Sequence, residues 1–365
     1  MIKKLFILAA LPLSGIQSAV LANTDSLSAV TSSKHLAPVK IGPEAYILPP
    51  PPPPVDLEKV RRMTIDERFR NRVAEQVTVR SFEEMKQLRT LLANIEIYTT
   101  VNEGNLQDIE QLSGSLGYAA DTKNQALVFN ALAVYYAVKG NLEKSFTLLR
   151  QSLAIRDQPF DKSLRTANPV LVALAELARL SGRTGDAVDY YTSIAAANQA
   201  AGKHIPAASA YVTIATLKCA QKNYAEAEKL LLWKALPMFR GNKPGRMSCF
   251  NALSRVYYLQ GRYSEAKWYC LQGNTLSLTL NDVEAHVTFL AQLAAIKNQE
   301  GDSFHALIDF KEAESLAFRN NCLARLVEIK GDMGEIYRKM GDYTAAGSAI
   351  EEYSRLRTTL LSNVQ

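Results

Sequence analysis

FNALSRVYYLQGRYSEA, residues 250–266, is the stretch on which the fold turns. Phe250, Leu253 and Tyr257 stand three and four apart, the spacing that collects side chains on one face of a helix. Gly261 ends that helix, because a residue without a Cβ takes the left-handed conformation that folds the chain back. Ala266 is small at a point where the next helix must approach the first closely. The phrase therefore encodes a helix, a tight turn and a second helix packed against the first.

Outward from it, the same phrase recurs. Gly140-Asn141-Leu142, Gly301-Asp302-Ser303 and Gly341-Asp342-Tyr343 repeat the turn, and Gly182-Arg183-Thr184 and Lys222-Asn223-Tyr224 are weaker copies. Ser145, Ala187, Ala227, Ala306 and Ala346 follow as the small residue. The turns at 140, 182, 222, 261, 301 and 341 are separated by 42, 40, 39, 40 and 40 residues. Large residues precede each turn at helical spacing, as in Phe129-Leu132-Tyr136, Leu171-Leu174, Tyr211-Ile214 and Met333-Tyr337. Leu149, Tyr191, Leu231, Cys270, Phe310 and Ile350 come four residues after the small position. Such regularity predicts a solenoid of helical hairpins, each burying its faces against itself and its neighbours. A degenerate seventh copy is expected to turn at Gly104-Asn105-Leu106, with Ile109 in the small position. Alternating apolar runs joined by Asn-Gly or Asp-Gly are missing, so no strands are expected.

This pattern resembles the tetratricopeptide repeat family, in which a large residue, a Leu-small pair, an aromatic, then Gly-acidic-Tyr and Ala mark each hairpin. The copies turning at Gly261 and Gly341 match it most fully, and the resemblance covers residues 81 to 362. It implies an all-α, right-handed superhelical solenoid of antiparallel hairpins. Family units repeat every ~34 residues, whereas these repeat near 40. The longer unit resembles that of peptide-receptor and large adaptor members and implies a protein or peptide ligand. The first helix of each hairpin would line a concave groove. Carried over position by position, the groove residues include Glu176, Arg179, Arg255, Tyr258, Asn298, Glu335 and Arg338, with Asn251 and Gln299 nearby on the same face. The arginines would bind carboxylates or backbone carbonyls, and Tyr258 would offer an aromatic platform. Glu176 with Arg179, and Glu335 with Arg338, stand three apart on one helix and can instead satisfy each other. The Lys and Asn set with which co-chaperone members clamp an acidic tail is not reproduced.

Before the repeats the composition changes. Lys3 and Lys4, the apolar run Leu5 to Leu13 and Val20-Leu21-Ala22 read as an export signal over residues 1–22, cleaved before Asn23. Residues 23–54 are Ser/Thr-rich and end in Pro49 to Pro54, a run that holds polyproline II backbone and reads as a stiff, disordered linker. An N-terminal helix is expected over 55–80, capped by Asp56, with Ser81 and Glu84 forming a capping box that opens the repeat domain at 81–365. Lys59, Arg61, Arg62, Arg68, Arg70 and Arg72 outnumber Glu58, Asp66 and Glu67 on that helix. It reads as a solvated helix packed on the first repeat.

The net charge of +6 falls to +4 without Lys3 and Lys4, too little to point to nucleic acid. After signal cleavage no segment reaches transmembrane length. Cys219, Cys249, Cys270 and Cys322 are sparse, make no Cys-x-x-Cys pair and read as buried small apolar residues, Cys249 with Cys270 being the pair nearest to bridging. The four histidines are scattered, and no nucleophile, phosphate loop or metal motif stands out, so neither cofactor, metal nor enzymatic activity is expected. The expected role is a scaffold exported to the bacterial periplasm, or else secreted, holding a peptide or partner helix of a cell-envelope component for assembly of a secretion or surface structure. The alternative is a peptide or small-ligand sensor whose solenoid changes shape on binding.

Overall fold

A computed structural model of the chain describes residues 56–115, 122–156 and 169–362, and within α1 (Leu57–Leu92) the backbone alone for residues 73–83. The export signal, the linker with its proline run and the loop at 157–168 lie outside the described residues.

Every described element is helical. After α1 comes the short α2 (Leu106–Ser115), and then six hairpins follow. They are α3 (Thr122–Val138) with α4 (Leu142–Arg156), and α5 (Pro169–Leu180) with α6 (Thr184–Ala200). Next, α7 (His204–Ala220) pairs with α8 (Tyr224–Leu230), which runs through a π turn at Leu231–Ala235 into α9 (Leu236–Met238). The last three are α10 (Lys243–Leu259) with α11 (Tyr263–Leu280), α12 (Val283–Gln299) with α13 (Ser303–Arg319), and α14 (Leu323–Lys339) with α15 (Tyr343–Ser362). The π turn has a local cause: Pro237 lacks an N–H and its ring crowds the carbonyl four residues back, so the helix widens just before it.

The six predicted turns are all present, and the chain uses the same device between hairpins as within them. Positive φ occurs at Gly140, Gly182, Lys222, Gly261, Gly301 and Gly341, and also at Gly202, Gly241, Asn281 and Asn321. Arg183 N–H bonds to Ala178 O at 2.8 Å, and Lys203, Asp282 and Cys322 repeat that bond to Asn198, Ser277 and Ala317 at 2.8, 2.9 and 2.9 Å. These are the closures that satisfy the orphan carbonyls of a helix C-terminus. Asn242, Asp282 and Asp302 then cap the following helix N-terminus with their side chains. Two 17-residue helices, such as α12 and α13, each followed by a three-residue connection, make up the 40-residue unit. The core runs through the array: Ser145, Ala187, Ala227, Ala266, Ala306 and Ala346 are all fully buried where paired helices meet.

Three expectations are corrected. The chain does not turn into a seventh hairpin at Gly104: residues 93–105 are non-helical, Gly104 has no positive φ, and Asn102 Oδ1 instead accepts the N–H of Gly104 at 2.9 Å and of Asn105 at 3.1 Å. Only α2 is added, its Ile109 packing on Val128 and Leu132 of α3. No helix begins at Ser81, because α1 continues unbroken to Leu92, a rod of about 54 Å at 1.5 Å per residue. Nor does the basic half of α1 pack on the first repeat. Its Ile65 and Phe69 join Val327, Ala346, Ile350 and Tyr353 of the last hairpin, while Leu88 and Leu92 at the other end join Ala133, Ala137, Val170 and Leu174 of the first two. The physical reason is that α1 has two separate apolar patches and enough length to serve both ends of the array.

Candidate partner-binding groove

The inner helices α5, α7, α10, α12 and α14 face a depression of about 1650 Å³, bounded on one side by α1. That volume exceeds the few hundred to about a thousand Å³ typical of small-molecule pockets. Of the residues expected in the groove, Glu176, Arg179 and Arg255 line it together.

Arg179 is held in place. Its guanidinium donates to Glu176 at 2.6 and 3.1 Å and to Glu84 of α1 at 2.9 Å, and Tyr191 Oη donates to the same Glu176 at 2.9 Å. Burial works against the charge of Arg179, but the two carboxylates outweigh it and raise its pKa. Burial, and then Glu176, push the Tyr191 phenol up.

Glu335 and Arg338 form the matching pair at the far end, at 2.7 and 3.0 Å, with Asp66 of α1 accepting from Arg338 at 3.1 Å. The hydrogen bond from Arg338 holds the Glu335 carboxyl below its ordinary range. The groove position of Arg338 is thus occupied by the chain's own helix.

Asn251, Asn298, Gln299 and Tyr258 stand outside the lining of the depression and are engaged by neighbours. Gln292 donates to Asn251 at 2.5 Å across the α10–α12 junction, and Ser303 donates to Asn298 at 2.8 Å. Burial raises the pKa of Tyr258, against which Gln299 acts to lower it.

Arg255 differs from all of these. It is exposed, lines the depression, and makes no ion pair or hydrogen bond among the described residues. Lys86 and Arg89 of α1 line the same space, exposed and likewise without an ion pair among the described residues, and Glu284 is the one lining carboxylate there without a cation beside it. Arg325 and Glu328 on the opposite wall neutralise each other at 2.8 Å. The depression therefore presents net positive charge on long, exposed side chains amid Thr213, Thr216, Gln87, Asn320 and Asn321. The repeat pattern alone misses the contributions of α1 and of the α13–α14 turn. The signal for the turn is Asn321, which falls 20 residues after the Gly301 turn.

The four cysteines are free thiols. Burial pushes Cys249 and Cys270 up to about 12, and raises Cys219 and Cys322 as well, so none is poised as a nucleophile. Among the described residues no helix is long and apolar enough to cross a membrane.

A tetratricopeptide repeat family model matches residues 246–272, spanning the turn at Gly261. No curated protein sequence matches the chain. Among solved structures, the apo form of RapI is 16% identical, covers 70% of this chain and 92% of its own, and superposes with a TM-score of 0.51. Aspartyl phosphate phosphatase F from Bacillus subtilis is 15% identical over 82% of this chain and 73% of its own, at 0.49. BtubC from P. vanneervenii is 18% identical over 59% of this chain and 89% of its own, at 0.47. At 16% identity the likeness to RapI is one of fold alone.

Proposed function

We propose that this chain, a tetratricopeptide-like helical repeat protein, is a non-catalytic interaction scaffold that takes a carboxylate-bearing peptide or partner helix into its central depression. The observation that carries the reading is the unpaired Arg255, facing Lys86 and Arg89 across a space larger than a small-molecule pocket. Unpaired guanidinium and ammonium groups in a concave site are recognition elements in waiting: they lose little by binding, because no internal pair has to be broken first.

Export belongs to the same reading. It rests on Lys3, Lys4, the apolar run Leu5 to Leu13 and Val20-Leu21-Ala22, and makes the partner a protein or peptide of the cell envelope. The run Pro49 to Pro54 would act as a stiff spacer ahead of the helices. Assembly of a secretion or surface structure is the setting that fits a periplasmic scaffold of this class.

Affinity purification of the exported protein from its own envelope tests this, run in parallel with Arg255→Glu/Lys86→Glu. The expected result is a stoichiometric partner retained by the unmodified chain and lost by the variant. A partner retained equally by both, or no stoichiometric partner under gentle extraction, sinks the reading.

A further inference from the structure

The last hairpin is cut to fit one particular helix face. Ile65, Phe69 and Arg72 of α1 recur at i, i+4 and i+7, and these three alone among residues 56–72 are buried, at 5, 6 and 6% exposure. That is the anchor spacing by which an amphipathic helix sits in a groove. The groove is made by absences. A Cβ on Gly334 would stand 2.7 Å from the Phe69 ring, one on Gly347 would stand 3.3 Å from Ile65, and one on Gly331 would land on the Arg72 guanidinium. Charges fix the register: Arg72 donates to Gly331 O and pairs with Asp332, Asp66 accepts from Arg338, and Arg68 reaches Glu351 at 3.6 Å. Arg62 lies over the Tyr343 ring, 5.4 Å from its centroid.

Two further features set this contact apart from ordinary core packing. Helix α14 has a second core toward α12 and α13, built from Leu326, Ile329, Met333 and Ile336, so one wall of the seat is held in place by contacts other than α1. The rest of the seated segment lies in solvent, with Leu57, Val60 and Met63 at 77, 49 and 62% exposure. A helix segment held on three anchors, with its other apolar side chains in solvent, is seated as a partner helix would be.

We propose that the α14–α15 face is a helix-recognition site held in cis by residues 65–72. Its partner in trans is a helix with the same anchors: a branched aliphatic followed by an acid, an aromatic four positions after the aliphatic, and an arginine three further on. Such a helix competes with α1 and takes its seat. The site is separate from the central depression, and its test uses a different probe.

A fluorescent synthetic peptide of residues 56–72 is titrated against the full chain and against the full-length double variant Phe69→Ala/Arg72→Ala, in which the cis competitor is weakened. The expected result is saturable binding at least about tenfold tighter to the double variant, since a site vacant more of the time binds more tightly in proportion. Adding Gly331→Ala, which obstructs only the arginine seat, should abolish it. Equal binding to both chains, no saturable binding to the folded double variant, or binding indifferent to Gly331→Ala overturns the proposal. Should the double variant not fold, hydrogen exchange on the unmodified chain decides. Excess peptide should strip protection from residues 57–72 and leave 84–92 protected; unchanged protection at 57–72 overturns the proposal.

Discussion

The two outer hairpins that meet α1 and the central hairpin between them carry different residues at the same place. Six and three residues before the turn glycine, α5 has Glu176 and Arg179, α14 has Glu335 and Arg338, and α10 has Arg255 and Tyr258. At the outer two, glutamate and arginine close on each other, and α1 adds a second carboxylate to each arginine, Glu84 to Arg179 and Asp66 to Arg338. At the centre the order is changed: an arginine stands where the glutamates stand, and a half-buried tyrosine replaces the partner that would neutralise it. The same repeat position thus builds the molecule at its flanks and remains available at its middle. A groove position inferred from a repeat is a location, and only the neighbouring residue decides its use.

The contrast can be broken most severely through the helix that supplies the extra carboxylates. Phe69→Ala empties a socket the ring fills and should cost about 3–5 kcal/mol of the α1 docking energy, read as lost hydrogen-exchange protection over residues 57–72. Next comes Arg179→Ala. It leaves the Glu176 charge, whose side chain is only 9% exposed, with the Tyr191 hydroxyl but no cation, and should cost about 3 kcal/mol in urea denaturation.

Arg338→Ala should cost less, about 1 kcal/mol, because its carboxylate partners are about one-third exposed and solvated. It also carries a pH signature. Arg338 depresses the folded pKa of Glu335 below 4.5, so this contribution is present above that value and is lost as the pH falls through the lower folded one. The variant should therefore lose stability less steeply on acidification than the unmodified chain, measured as denaturation midpoint against pH. The smallest change in stability belongs to Arg255→Glu, within about 0.5 kcal/mol because the side chain is exposed and unpaired. If the central arginine is free for a ligand, that nearly silent variant is the one that loses an anionic peptide in a binding titration.

Much of the array is legible in the residues alone, since glycine and a small residue at fixed spacing have few physical explanations besides a helical hairpin. The intervening turns are harder to read. Asn281 and Asn321 adopt the left-handed conformation without the Gly-acidic-Tyr phrase, so only their place midway between the recognised turns betrays them. The pairing of Glu176 with Arg179 and of Glu335 with Arg338 is readable from helix spacing, whereas the carboxylates that reinforce them are not. Asp66 and Arg338 are separated by 272 residues, and nothing local to either announces the other. The glycines at 331, 334 and 347 are traces of that docking, and within a single sequence they read as ordinary small residues on repeat helices.

A stack of hairpins whose ends are free unravels from its tips, because each terminal unit touches one neighbour instead of two. Here α1 spans from the first two hairpins to the last, so the tips lean on the same rod. Fraying at one end loosens the helix on which the other end rests. The protein should accordingly melt more nearly as one body than an open array of the same length, with its terminal repeats failing together.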